Sequence, residues 1–196
     1  PVLPGQYSVT IHWDGQSATQ LLNVEYDYRM NSWVSNEDLV ARREAFKAIE
    51  GIEADLDLAV QSLAQANENI ERLQSLLKRE PYASDSALVD TVKITAKALE
   101  AARHHVFGKK ETKGYFEQPE VWSNQWGSSL WQLLSSASAW ESNEQALFDQ
   151  LAKRTEEATE TVMTFLIEDY NSLLEYLEEH PVDVMVPTKI EEEIRK

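Results

Sequence analysis

The architecture of the chain is set by residues 49–77, whose sequence is IEGIEADLDLAVQSLAQANENIERLQSLL. Large aliphatic residues recur in it at every seventh position, and we call this set the helical seam: Ile49, Leu56, Leu63, Ile70 and Leu77. Three positions further on in each heptad stand Ile52, Ala59, Ala66 and Leu73. This spacing puts both sets on one side of an α-helix over about four heptads. We therefore predict a long helix whose seam packs against another helix.

The ends of this helix follow from the residues that flank it. Ser35 or Asn36 can accept hydrogen bonds from the free amides of the first turn, and Pro81 cannot continue the helix. About 44 residues between these points make a rod of about 65 Å. Apolar residues beside the seam widen the buried stripe: Leu39, Phe46 and Val60. A wide stripe favours a helical bundle over a two-stranded coiled coil.

Two further helices follow in the sequence, over about residues 84–107 and 141–180. The first stops at Gly108, a natural residue after a helix end. The second has an apolar residue about every 3.75 positions and ends before Pro181. Residues 115–140 are an aromatic-rich connection that Pro119 and Gly127 interrupt. We predict a mainly α-helical fold in which residues 35–180 form an elongated antiparallel helical hairpin or three-helix bundle, followed by a flexible tail over 181–196.

Residues 1–30 have the signature of a β-hairpin. Apolar residues alternate with polar ones in the first strand, as expected for a strand with one buried face: Tyr7, Val9, Ile11 and Trp13. Asp14-Gly15 supplies the two positive φ angles of a type I′ turn. The two-residue loop predicts that Trp13 lies opposite Gln16 and that Tyr7 lies opposite Leu22. An isolated hairpin is marginal in water, so it has to pack on the helices or complete a larger sheet.

The composition excludes several classes of protein. The 196 residues carry 18 Lys and Arg against 34 Asp and Glu, a net charge of −16 that repels nucleic acid and anionic lipid surfaces. There is no Cys, and therefore no disulfide or thiolate nucleophile. No apolar run reaches the about 18 residues of a membrane span. The chain starts at Pro1 without a signal peptide, so we expect a processed or excised piece of a longer protein.

The sequence contains no enzyme or cofactor motif that can be recognised by its spacing. His104 and His105 are adjacent and point about 100° apart on a helix, so they cannot share a metal ion. Glu100 and His104 fit an exposed helix pair better than a metal site. The 11 acidic residues within 141–180 surround an apolar stripe and are typical of a solvated face. We expect no catalytic, cofactor-binding or metal-ligating residue and no cofactor.

Four of the six Trp residues stand within 19 positions, at Trp122, Trp126, Trp131 and Trp140, after Tyr115 and Phe116. Large aromatic side chains can anchor a connecting segment to a helical bundle, and this is the interpretation we favour. Exposed indoles can also bind a protein partner or stack on sugar rings. The candidate interaction surface therefore comprises Tyr115, Phe116, Trp122, Trp126 and Trp131, together with the helical seam.

The N-terminal part resembles a known family. The matching residues are Pro4-Gly5-Gln6-Tyr7-Ser8-Val9, the turn at Gly15, the strand end at Val24, Asp27-Tyr28-Arg29 and Ser35-Asn36-Glu37-Asp38-Leu39. They resemble the C-terminal region of secreted bacterial BNR-repeat proteins, which are sortilin-like (VPS10-type) β-propeller proteins often labelled glycosyl hydrolases. The resemblance implies that residues 1–30 end an immunoglobulin-like β-domain and that any hydrolase activity lies in an upstream propeller. It transfers no catalytic residue to this chain.

These observations lead to one main hypothesis and two alternatives. The main one is a non-catalytic accessory region of a larger secreted, periplasmic or cell-surface protein, acting as a docking or spacer module toward a protein partner or its own propeller. The first alternative is a carbohydrate-binding module that uses the Trp-rich residues 115–140. The second is a self-associating coiled coil, a homo-oligomer in which the helical seam meets a second protomer.

Overall fold

The computed structural model of the chain describes residues 2–25, 27, 29, 34–79, 82–109, 118, 121–135 and 138–182. Two strands come first, β1 (Gly5–Trp13) and β2 (Gln16–Val24). Four helices follow: α1 (Asn36–Leu76), α2 (Ser86–Phe107), α3 (Trp122–Ser135) and α4 (Ser142–Thr164). A π-helical segment, Phe165–Tyr170, continues α4 into α5 (Asn171–Glu179). The prediction of a mainly helical fold after a β-hairpin is confirmed.

Helix α1 begins as its sequence predicts. The Ser35 hydroxyl accepts a hydrogen bond from the Asp38 amide, and the Asp38 carboxylate accepts one from the Ser35 amide. This capping box satisfies two amides that the helix leaves free. The helix ends at Leu76, with Leu77 as its C-cap. Its 41 residues give a rod of about 60 Å.

The helices form three rods, of which the first and third run in the same direction. Asp38 at the start of α1 contacts Ala139 before α4, and Asn69 near the other end contacts Tyr170. The middle rod consists of α2 and α3 and runs the opposite way. Its direction follows from two hydrogen bonds to α1, from Arg103 to Asn67 and from Arg42 to the Leu134 carbonyl. Of the two predicted arrangements, the chain adopts the three-helix bundle.

The core runs along the inside of the three rods. Four of the five seam residues are buried, at 1–4% exposure, and Leu77 packs against the same core. They meet buried residues of the third rod: Leu151, Ala158, Val162, Leu166, Tyr170, Leu173 and Leu177. The polar side chain Thr155 stands between Leu151 and Ala158 and is 2% exposed.

One expectation about local structure is wrong. The region expected to be an interrupted aromatic connection contains α3, and Gly127 lies inside this helix instead of breaking it. A Cβ at Gly127 would meet no atom within 4 Å, so the residue faces open space. Its destabilising effect on the helix is therefore little more than the low helix propensity of glycine. The hairpin was expected either to pack on the helices or to complete a larger sheet. Within the described residues no helix packs on it and its apolar face is exposed, so completion of a larger sheet stays a prediction.

Candidate interaction surfaces

The turn between the two strands sets the geometry of the β-hairpin. Asp14 and Gly15 both have positive φ, at 46° and 73°, which is the backbone of a type I′ turn. Pairing then follows the predicted register, with Trp13 opposite Gln16 and Tyr7 opposite Leu22. The Asp-Gly sequence therefore fixes which side chains share a face.

The two faces of the hairpin differ in character. One face, which we call the apolar hairpin face, carries Tyr7, Val9, Ile11, Trp13, Ala18 and Leu22. Its apolar stripe runs along β1, because Gln16 and Gln20 occupy part of β2 on this side. The opposite face is polar apart from Leu21, and the hydroxyls of Thr10 and Thr19 share a hydrogen bond of 2.9 Å across it.

The apolar hairpin face is in water. Trp13 is 81% exposed and Ile11 is 68% exposed, and Val9 and Leu22 are exposed as well. Within the described residues, no helix covers either face. Isolated apolar residues at a surface are ordinary, whereas a contiguous row of them marks an interaction site.

The edges of the hairpin are equally unprotected. Neither nine-residue strand contains an Asp, Glu, Lys or Arg. Natural proteins usually place charges or Pro on long exposed edge strands, because these block pairing with another chain. Both edges of this hairpin therefore remain open to strand pairing.

Charges return immediately after β2. Arg29 forms an ion pair with Asp27, and this pair holds the pKa of Asp27 below its ordinary value. Both side chains are solvent-exposed, so the pair contributes little to stability.

The Trp-rich segment is divided between core and solvent. Trp122 stacks on Trp126 with ring centroids 5.2 Å apart, and Trp126 is buried. The Trp122 indole N–H donates to the Thr155 hydroxyl at 3.0 Å. The Trp140 indole N–H donates to the Leu133 carbonyl at 3.2 Å. These side chains attach α3 and the start of α4 to the bundle.

Trp131 is separate from the other indoles. It is 73% exposed and lies nine residues after Trp122, which is about half a helical rotation away. Trp122, Trp126 and Trp131 therefore do not form one flat platform. Tyr115 and Phe116, the other members of the predicted surface, lie outside the described residues.

The helical seam is occupied within a single chain. Its helix packs on α2, α4 and the π-helical segment, and its residues share a core with α5. A coiled coil that used this seam to bind a second protomer would have to displace the third rod from α1. Nothing else along α1 replaces it as a continuous apolar stripe, because exposed apolar residues such as Val40 and Leu58 stand alone.

Two polar contacts stabilise the end of the bundle where α1 begins, and sequence patterns did not reveal them. The Asp38 carboxylate accepts hydrogen bonds from the Ala139 amide and from Ser35, and these bonds lower the pKa of Asp38. The Arg42 guanidinium donates to the Leu134 carbonyl at 2.9 Å, near the C-terminal end of α3. A cation at this end of a helix is also favoured by the helix dipole.

A third polar contact, which is buried, lies near the other end of α1. The Asn69 side-chain amide donates to the Tyr170 hydroxyl at 2.7 Å, and burial raises the pKa of that hydroxyl. Asn69 and Tyr170 are both buried, so this pair satisfies two polar groups inside an apolar core.

The residues that could bind a metal do not converge. Among the described residues, no group of three or more His, Asp or Glu is arranged to hold an ion. The His104 Nε2 atom lies 3.5 Å from a carboxylate oxygen of Glu100, one turn earlier on the same helix, and the His104 side chain is partly exposed. A groove of about 870 Å³ runs between α1 and α4, and its lining includes Asp55, Glu156 and Glu160. In the described part of the chain, no helix is both long and apolar enough to cross a membrane.

The geometry defines the class of molecule: a three-helix bundle with an amphipathic N-terminal β-hairpin that no helix in the described part of the chain covers. Comparisons of the chain with protein-family models, with curated proteins and with solved structures found no match.

Proposed function

We propose that the chain is a non-catalytic docking and spacer module of a larger secreted or envelope-associated protein. In this role the β-hairpin makes the contact and the helical bundle sets the distance. The resemblance of residues 4 to about 80 to the C-terminal region of BNR-repeat β-propeller proteins supports a propeller as the rest of that protein.

One observation carries the proposal: the apolar hairpin face is uncovered while the helical core is complete. Trp13 and Ile11 are mostly in water, whereas the seam residues are almost fully buried. The helical part of the chain buries its apolar residues well. We therefore infer that the exposed hairpin face is a contact surface, which another surface covers when the partner is bound.

The bundle has the properties of a spacer. Its rods are long and continuous, and α1 alone spans about 60 Å. A long packed bundle transmits position better than a flexible linker of the same number of residues.

A capture experiment with matched variants tests the proposal. The chain, its Ile11→Lys variant and its Ser8→Lys variant serve as baits for envelope and secreted fractions of the source cells. Ile11 and Ser8 stand on opposite faces of β1, and both are exposed. The two substitutions change the net charge equally.

We expect a defined protein, either the parent polypeptide or another, to be retained by the chain and by Ser8→Lys but lost from Ile11→Lys. Equal retention by all three baits, or retention by none, would refute hairpin docking. Hydrolase turnover by the purified chain would refute the non-catalytic assignment.

Carbohydrate binding is a second candidate because of Trp131. An indole this exposed, with Asn124 and Ser128 on the preceding turns of α3, can stack on a sugar ring. A polysaccharide panel that quenches Trp fluorescence in the chain but not in Trp131→Ala would support it. Absence of quenching across the panel would remove it.

A further inference from the structure

We propose that the surface covering the apolar hairpin face is the same face of a second copy of this chain. The two hairpins would stack face to face around a two-fold axis and form a four-stranded, two-layer sandwich. This inference rests on the proposed docking function, because it names the partner of that same face.

The distribution of charge favours a second copy. The chain carries a net charge of −16, so most of its surface repels another copy. The strands carry no Asp, Glu, Lys or Arg, and the nearest charges are Asp14 in the turn and Glu25 after β2. Helix α3 (Trp122–Ser135) also lacks Asp, Glu, Lys and Arg, but Trp131 is its one large apolar side chain that is exposed. Among the described residues, the hairpin is therefore the uncharged surface with a row of exposed apolar side chains, and two acidic chains can approach closely there. A basic partner would be drawn to the helices instead.

The exposed area is sufficient for a weak dimer. Trp13 contributes about 200 Å² and each of Val9, Ile11 and Leu22 about 100 Å², which gives about 500 Å² per hairpin. Two such faces bury about 1,000 Å² in total, which is below the about 1,200 Å² of stable specific interfaces and within the range of weak, transient ones. We therefore expect a reversible dimer with a dissociation constant in the micromolar range.

Face-to-face stacking explains the exposed stripe better than edge pairing does. Pairing along a strand edge would satisfy backbone groups but leave Trp13 and Ile11 in water. Stacked sheets lie about 10 Å apart, so the two β1 stripes can interdigitate. A two-fold axis then places the same residues on both sides of the interface.

Sedimentation equilibrium of the chain from about 1 µM to about 1 mM tests the inference. We expect the mass to rise with concentration from 22.4 kDa toward twice that value. Ile11→Lys should remain monomeric throughout, while Ser8→Lys should dimerise like the unmodified chain. A chain that stays monomeric throughout, a dimer that survives Ile11→Lys, or a dimer disrupted equally by Ser8→Lys would overturn the inference.

Cross-linking gives an independent measurement, because the chain has no Cys and a single introduced thiol is unambiguous. We expect a short bis-maleimide to join Ile11→Cys into dimers at least tenfold more than Ser8→Cys. Equal yields would contradict face-to-face stacking. If the chain is monomeric yet a different protein is captured in a hairpin-dependent way, the second copy is refuted and the docking function stands.

Discussion

Trp122 is fixed in the bundle by two interactions of different kinds. Its ring stacks on Trp126, and its indole N–H donates to Thr155, whose own hydroxyl donates to the Leu151 carbonyl. Trp122→Phe keeps an aromatic ring but removes the donor. We expect it to lower the free energy of unfolding by about 0.5–1.5 kcal/mol in urea titration.

The matched control for this substitution is Trp131→Phe on the same helix. Trp131 is mostly in water, so its loss should change the free energy of unfolding by less than about 0.5 kcal/mol. Equal effects of the two substitutions would show that the hydrogen bond to Thr155 contributes nothing.

Asp38 makes the attachment of residue 139 to α1 dependent on pH. Its carboxylate accepts hydrogen bonds from Ala139 and Ser35, which hold its pKa in the folded chain below the ordinary 3.8. The stabilisation is present above the unfolded pKa and disappears as the pH falls through the lower folded pKa. We therefore expect the difference in stability between the chain and Asp38→Asn to shrink as the pH falls below about 4.

Urea titrations of both proteins at a series of pH values measure this difference. Because all other carboxylates are common to the two proteins, their protonation cancels in the comparison. A difference that stays constant down to about pH 2 would show that the Asp38 charge is not what matters.

Among the elements, α1 offers a matched pair of leucines for testing the seam. Leu63 is 2% exposed and Leu58 is 51% exposed, and both stand in the middle of the same helix. Leu63→Ala should cost about 2–5 kcal/mol, because it removes buried contacts and leaves a cavity. Leu58→Ala should cost less than about 1 kcal/mol. Thermal unfolding followed by circular dichroism gives both values, and similar costs would contradict burial of the seam inside one chain.

The sequence predicted some elements well because their signals are local. The heptads of α1 gave its buried residues, and the Asp14-Gly15 turn gave the full register of the hairpin. Helix α3 was missed because Gly127 and the crowded indoles suggested a connection. Thr155 was missed because a polar residue breaks an apolar pattern, although its partner Trp122 is also in the sequence. No local pattern says which two side chains will meet across 33 positions.

Only part of the candidate interaction surface could be predicted in the same way. Alternation in β1 identifies an apolar face but does not say whether the helices cover it. The Trp cluster was identified as a candidate surface, whereas Trp122 and Trp126 are used inside the bundle and Trp131 faces water. The division depends on where each residue falls around α3, which is known only once the packing of α3 is known.

At the scale of the whole molecule, the hairpin and the bundle are each stabilised by a different kind of interaction. The bundle has a continuous apolar core, while the hairpin has its turn and its cross-strand hydrogen bonds. Since no described helix covers the strands, loss of the hairpin should leave the core untouched. Under the proposed docking function, this separation would let the hairpin bind a partner without any change in the helical bundle.

Gly15→Val tests this separation. A β-branched residue is strained at the φ of 73° that the turn requires, so the substitution should open the hairpin. We expect faster amide exchange in β1 and β2, while the free energy of unfolding, measured by urea titration of the helical signal in dilute solution, stays within about 0.5 kcal/mol of the unmodified chain. Leu63→Ala should do the reverse, lowering the helical midpoint and leaving strand exchange unchanged under native conditions. If Gly15→Val also lowered the free energy of unfolding of the helices by several times that margin, the hairpin would be a structural part of the bundle. Its exposed face would then no longer be free to bind a partner.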